Sequence, residues 1–177
     1  MISRHVPMTF CVLVMLLCMN ARAGDYLYTK IADNSGEFAA FPVAPAINKT
    51  GTVVFKALYD DGKEAILTSH GGSTTVLADS TAPTGVPYAS FGVPTINNAG
   101  RVAFSASLDN GTTGVYKTDG IVTTTISDSD GPLPGLSGAF INPTGTVVFS
   151  GRLDVNNAMG VFVGDGSGSL CGYPHSD

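Results

Sequence analysis

The chain is poor in tryptophan, cysteine and charge. It has no tryptophan, three cysteines, and 13% charged residues among its 177. Cys11 and Cys18 lie in an N-terminal segment that we expect to be removed, which would leave Cys171 as the only thiol. An intrachain disulfide is therefore excluded, although the expected compartment is oxidising. We expect packing alone to hold the fold, unless Cys171 pairs between two chains.

A long hydrophobic segment is also missing. Phe10 to Met19 is an unbroken run of ten apolar residues, whereas a membrane-spanning helix needs about 20. Ala21-Arg22-Ala23 then has the small-x-small form of a signal cleavage site. We predict a signal peptide at residues 1–23. A membrane anchor and a lipid anchor on Cys18 are the alternatives, but Leu17 is too large for a lipoprotein signal.

Positive charge is scarce. Cleavage after residue 23 would remove Arg4 and Arg22, two of the nine basic residues, and none of the 14 acidic residues. The net charge would change from −5 to −7. Since an acidic chain repels phosphate groups, we expect no nucleic-acid partner and no membrane contact after signal cleavage.

What the sequence does contain is one phrase written three times. It reads INKTGTVVF, INNAGRVAF and INPTGTVVF, with its asparagine at Asn48, Asn97 and Asn142. These asparagines are 49 and 45 residues apart (97 − 48 and 142 − 97). A repeat of this length is typical of one supersecondary unit that buries its apolar face only by stacking on a neighbour.

The second copy predicts the strands of a unit most clearly. Asn97 to Gly100 fits a four-residue turn, because Asn bonds the turn backbone and Gly accepts positive φ. Arg101 to Ser107 then alternates apolar and small polar residues, as a half-buried strand does. Asp109-Asn110-Gly111 and Thr118-Asp119-Gly120 mark two further turns. Four short antiparallel strands per unit follow from this pattern.

Four-stranded units of about 45 residues are typical of β-propeller blades. We expect an all-β, propeller-like array of three such units, partial or open because closed propellers have about four to eight blades. The predicted units are 26–69, 73–118 and 121–164, each opening on a strand from the preceding unit. They lie in a β-repeat domain at 24–166, which an irregular tail at 167–177 follows.

Three blades leave three accounts of the chain. It is an open array, a fragment of a longer product, or a half-ring completed by dimerisation. An open array or a fragment would leave an unpaired strand edge, and a homo-oligomer could form through such open edges.

These units resemble a family of secreted bacterial proteins built from NxxGxxAF tandem repeats. Asn97 to Phe104 fits the motif in full, while the other copies depart from it only by Val54 and Val148 in place of alanine. The resemblance covers about residues 25–165. It implies a propeller-like β fold on the outside of a bacterial cell, so the expected location is secreted, periplasmic or cell-surface. It implies no activity.

Few residues are candidates for chemistry. His70 lies in a predicted turn and His175 in the tail, so neither is assigned as a catalytic base. Asp128 and Asp130 carry oxygen ligands of the kind Ca²⁺ uses, but Asp-Gly turns explain such residues on backbone grounds. We therefore predict no catalytic residue, no cofactor and no metal, with these two aspartates as the candidates if a metal binds.

Two functions remain open. The first is a secreted, non-catalytic binding or structural module for an extracellular protein or glycan. The partner would meet three variable loops, at Pro42–Pro45, Ala82–Tyr88 and Pro132–Gly138.

The alternative is a propeller-type hydrolase or lyase with its site where the units converge. Its acids would be the regularly placed set Asp33, Asp79 and Asp128. Because equivalent acids in every copy usually form structural turns, we favour the binding module.

Overall fold

The computed structural model describes residues 27–81 and 88–168. Residues 31–168 of this part belong to one compact unit, and residues 27–30 belong to a separate N-terminal one. The described residues form 13 β-strands in three antiparallel sheets and contain no helix, so the all-β prediction is confirmed. It follows that these ranges hold no helix able to span a membrane.

The strands are grouped along the chain. The first sheet contains β1 (Phe38–Ala40), β2 (Ala46–Ile47), β3 (Val53–Tyr59), β4 (Glu64–His70) and β5 (Ser73–Asp79). The second sheet contains β6 (Tyr88–Phe91), β7 (Thr95–Ile96), β8 (Val102–Leu108), β9 (Thr113–Thr118) and β10 (Thr123–Asp128). The third sheet contains β11 (Gly135–Ile141), β12 (Val147–Arg152) and β13 (Met159–Gly164).

The first two sheets share one topology. Their strand orders are β1-β3-β4-β5 and β6-β8-β9-β10, with the short β2 and β7 pairing beside β3 and β8. The third sheet has the order β11-β12-β13. In this sheet the single strand β11 takes the place that β1 and β2 share in the first sheet and that β6 and β7 share in the second. The third sheet therefore has three strands among the described residues, one fewer than the four predicted for a unit.

The sheets divide the chain at different points from the predicted units. β5 pairs with β4 and β10 with β9, so each fourth strand belongs to its own sheet. The predicted units 26–69, 73–118 and 121–164 assigned these strands to the following unit. β5 pairs with β4 because a tight turn joins the two strands. Gly71 and Gly72 in this turn both have positive φ, as a tight hairpin requires. The first predicted unit was expected to open on a strand at Tyr26 to Ala32. The described part of this segment, residues 27–32, is in no strand.

The repeated phrase fixes which side of a strand faces which neighbour. Phe104 packs in a core that joins the first and second sheets, and Phe149 packs in a core that joins the second and third. The residue before the phenylalanine points to the opposite side, as strand alternation requires. Val54 thus packs toward the second sheet and Ala103 toward the third. The second and third sheets each turn their phenylalanine to the preceding sheet, and Phe55 of the first sheet lies on that sheet's outer face.

Three hydrophobic clusters result from this alternation. The one between the first and second sheets contains Val54, Ile66, Ala78, Tyr88, Phe91, Val102, Phe104, Ala106 and Tyr116. The one between the second and third contains Ala103, Val115, Leu133, Ala139, Val147, Phe149 and Leu153. The third cluster lies on the outer face of the first sheet and contains Phe38, Phe55, Ala57, Ala65 and Leu67.

The buried Tyr88 hydroxyl should make the free energy of unfolding depend on pH in the alkaline range. Its ring lies 5.0 Å from that of Phe91 and 5.4 Å from that of Tyr116, between ring centroids. Burial, and to a lesser extent the charge of Tyr116, raises the pKa of Tyr88 to about 12. The folded chain therefore holds this proton at pH values where the unfolded chain has lost it.

We expect the free energy of unfolding to fall as the pH rises from about 10 to about 12. Urea denaturation at a series of alkaline pH values measures this slope, and Tyr88→Phe should make it shallower. An equal slope in both proteins would show that the Tyr88 proton does not contribute.

Candidate functional site

The second residue of each copy of the phrase is an asparagine, and its side chain builds the turn of that copy. In the second copy, Asn97 Oδ1 accepts hydrogen bonds from the backbone N–H groups of Ala99 and Arg101, both at 3.0 Å. The Gly100 N–H closes the turn on the Asn97 carbonyl at 3.1 Å, and Gly100 has a φ of 81°. The predicted turn is confirmed, with both residues in the roles that their chemistry suggests.

The same asparagines also join one sheet to the next, which the sequence did not indicate. Asn48 Nδ2 donates to the Asn97 carbonyl at 3.1 Å, and Asn97 Nδ2 donates to the Asn142 carbonyl at 3.0 Å. Because Oδ1 already accepts from two N–H groups, the amino group must be the atom that points to the neighbouring turn. We call this row the asparagine ladder. Asn48 and Asn97 are buried, whereas Asn142 at its end is exposed.

A second set of polar contacts crosses between the first and second sheets. Lys56 Nζ forms a salt bridge with Glu64 Oε2 at 2.9 Å and donates to the Phe91 carbonyl at 2.8 Å. The Phe91 N–H in turn donates to Glu64 Oε2 at 2.9 Å. Lys56 is buried, and these contacts supply the partners that a buried charge requires.

The three regularly placed aspartates make the same hydrogen bond in three separate turns. Asp33, Asp79 and Asp128 each accept a hydrogen bond from the backbone N–H two residues later, at 3.1, 2.8 and 3.2 Å. These bonds are the ones that make Asp a turn residue. Asp128 alone of the three lines the cleft described next.

The cleft lies where the second sheet approaches the end of the third. Residues 125–128 form one side, and Gly164, Asp165 and Gly166 form the other, around a volume of about 230 Å³. Hydrogen bonds from the Ser167 hydroxyl and N–H, aided by the charge of Lys117, lower the pKa of Asp165. The cleft thus borders two acidic residues, Asp128 and Asp165.

The candidate metal ligands do not share this cleft. Asp130 is exposed and accepts a 3.4 Å hydrogen bond from Thr112 Oγ1, while Asp128 lines the cleft. Within residues 27–81 and 88–168, no group of three or more His, Cys, Asp and Glu side chains is close enough to hold a metal ion.

His70 does not line this cleft. His70 is exposed at the end of β4, and its Nδ1 lies 3.4 Å from Thr52 Oγ1. Ser69, beside it in the strand, is buried and points to the opposite face, so the two side chains do not form a pair. Cys171 and His175 lie outside the described residues.

One of the three predicted partner loops has a different role. Pro42–Pro45 connects β1 to β2 and is mostly exposed, while residues 82–87 lie outside the described part of the chain. Pro132–Gly138 is not a free loop, because Gly135–Gly138 belongs to β11 and Leu133 is fully buried in the second core. Two leucines among glycine, proline and serine are a weak signal, so the sequence did not separate this buried segment from a loop.

Comparison with known proteins places the chain in a family. A profile described as "Family of unknown function (DUF7453)" matches residues 15–161, which is most of the chain. The chain belongs to the DUF7453 family. No curated protein matches it.

One solved structure is similar to this DUF7453 chain over part of its length. It is described as "Hadza microbial sialidase Hz136" and matches with a TM-score of 0.41 and 13% sequence identity. The match covers 68% of the DUF7453 chain and 30% of the sialidase chain, so the chain spans less than a third of that protein.

Proposed function

We propose that this DUF7453 protein is a secreted, non-catalytic β-repeat module that binds an extracellular protein or glycan, or serves as a structural element. The observation that carries the proposal is the asparagine ladder. The side-chain oxygen of Asn48 and of Asn97 builds a turn, and the side-chain nitrogen of each joins two sheets, so both polar side-chain atoms of each residue are engaged within the protein. The repeat is therefore best explained as a device for assembly.

The arrangement and location of the units belong to the same proposal. The second and third sheets each turn their phenylalanine to the preceding sheet, as successive blades of an open, propeller-like array would. The resemblance to NxxGxxAF repeat proteins and the signal-like residues 1–23 favour a bacterial protein that is secreted, periplasmic or on the cell surface. The Pro42–Pro45 loop is the described surface best suited to a partner, because it is exposed and its prolines limit the entropy lost on binding.

The hydrolase or lyase alternative has one observation in its favour. Asp128 and Asp165 border the same cleft, as two acidic groups do in many hydrolytic sites. Asp128 already accepts a hydrogen bond within its own turn, as Asp79 does in a turn that does not border this cleft. The equivalent turn bonds of Asp128 and Asp79 favour a structural role for Asp128.

The pair Asp128→Asn and Asp79→Asn separates the two functions. Each substitution keeps the oxygen that accepts the turn N–H, and Asp128→Asn alone changes the cleft. We expect no turnover of chromogenic glycosides or esters by the purified protein, and the same glycan-array and envelope-protein binding in both variants. Turnover that Asp128→Asn abolishes and Asp79→Asn retains would overturn the proposal in favour of the enzyme.

A further inference from the structure

The outer face of the third sheet is apolar and exposed. Strand pairing places Val148 opposite Phe140 and Val163, and Val161 lies on the same side of β13. Val161 is 75% exposed and Phe140 is 62% exposed. Met159 is exposed on this side as well. We call these five residues the open face.

The same positions are covered in the first two sheets. Val161 is equivalent to Ile66 and Val115, since each lies in the middle of its strand opposite the residue after the repeated phenylalanine. Ile66 and Val115 are both completely buried, the first toward the second sheet and the second toward the third. Val161 differs from them in that no further sheet follows among the described residues. The open face is thus a stacking surface without its neighbour.

The asparagine ladder ends at the same place. Asn142 Oδ1 accepts from the N–H groups of Thr144 at 3.0 Å and Thr146 at 2.9 Å, as its two counterparts do in their own turns. Its Nδ2 is therefore left in the position from which Asn48 and Asn97 reach the next turn. The exposed amide and the open face thus both belong to the third sheet, the last sheet among the described residues.

The other end of the array shows the matching surface. Phe41 contacts the rings of Phe38 and Phe55, in the same way that Phe91 contacts Tyr88 and Phe104 one repeat later. Phe91 is 4% exposed because the first sheet packs on it, whereas Phe41 is 37% exposed.

Ile31-Ala32-Asp33 also lies at this end and matches Leu77-Ala78-Asp79 of β5 in sequence. Ile31 and Ala32 pack on the first sheet's outer cluster, as Leu77 and Ala78 pack on the next one. A segment with the sequence of the end of a fourth strand, Ile31–Asp33, therefore packs on the outside of the first sheet. The third sheet has no described strand in its own fourth position, beside β13.

We propose that a second copy of this chain covers the open face in a head-to-tail arrangement. The outer face of its first sheet packs on Val161 and its neighbours, and its Ile31–Asp33 segment aligns beside β13. Asn142 Nδ2 then donates to the Asn48 carbonyl of the second copy, which extends the ladder across the interface. The contact joins two different surfaces, so it produces a ring if the rotation closes and a filament if it does not.

Sedimentation of the purified protein over the micromolar to millimolar range tests this assembly. We expect concentration-dependent association of the wild type. Val161→Lys should weaken it about tenfold or more, because it buries an unpaired charge in the interface. Val155→Lys is the matched control, since Val155 is 86% exposed in the turn before β13 and lies off the open face. A monomeric wild type, or equal weakening by both variants, would overturn the proposal.

Mixing two variants tests the head-to-tail geometry. Phe41→Lys alters the outer face of the first sheet, and Val161→Lys alters the open face of the third. Each variant keeps one intact surface, so we expect neither to associate alone and the mixture to form a one-to-one heterodimer. Thermal unfolding of each variant first establishes that it is folded. Continued self-association of folded Phe41→Lys would indicate a symmetric contact and contradict the proposal.

Discussion

Replacing Phe104 with alanine is expected to lower the free energy of unfolding by about 3–5 kcal/mol. The side chain is fully buried, and its ring centroid lies 5.9 Å from that of Tyr88 and 5.7 Å from those of Phe91 and Tyr116. The substitution removes an aromatic ring from the core that joins two sheets, and a β-sheet core relaxes only partly into such a space. Urea denaturation measures the loss, with an unchanged m-value indicating that the same surface is still exposed on unfolding.

Phe140→Ala is the matched control for this prediction. It makes the same chemical change on the outer face of the third sheet, where the side chain is largely exposed. We expect the free energy of unfolding of the monomer to change by less than about 0.5 kcal/mol. Similar losses for Phe104→Ala and Phe140→Ala would mean that the first core does not form as described.

Replacing Asn97 with aspartate is expected to cost about 2–4 kcal/mol of folding stability. The carboxylate can still accept from the Ala99 and Arg101 N–H groups, so the turn keeps its bonds. Its second oxygen, however, would face the Asn142 carbonyl oxygen across the 3.0 Å that a hydrogen bond now spans. Asn97 is buried, so water cannot relieve this repulsion. Thermal or urea unfolding measures the loss.

The same substitution at Asn142 should be nearly silent. Asn142 makes the same turn bonds, but it is exposed at the end of the ladder. We expect a change of less than about 0.5 kcal/mol in the monomer. If Asn142→Asp were as harmful as Asn97→Asp, the turn and not the bond between sheets would be the source of stability.

The strands of the fold could be predicted from the sequence because each copy of the repeat shows the same pattern of turn residues and alternating apolar residues. Alternation after Gly100 predicts a strand with one face buried. β8 is a strand, but both of its faces are buried, with Val102 and Phe104 on the side that packs on the first sheet and Ala103 on the side that packs on the third. The unit boundaries could not be predicted in the same way. A strand pattern shows that β5 exists but does not show which neighbour it pairs with, because alternation describes one strand and not its partner. The Gly71-Gly72 turn carried the deciding signal.

Only some features of the candidate site could be predicted from the sequence. Asp79 and Asp128 could be recognised as turn residues, because an Asx turn depends on atoms two residues apart. The asparagine ladder could not be recognised, because it depends on how turns from different sheets are placed in space. The burial of Leu133 likewise depends on a cavity between two sheets that a local pattern does not describe.

Nuclear Overhauser effects from two phenylalanine rings test the stacking of the sheets most directly. We expect contacts from the Phe104 ring to the methyl groups of Val54 and Ile66, and from the Phe149 ring to those of Ala103 and Val115. These contacts connect each sheet to the one before it in the chain. Rings that show effects only to residues of their own sheets would contradict the account.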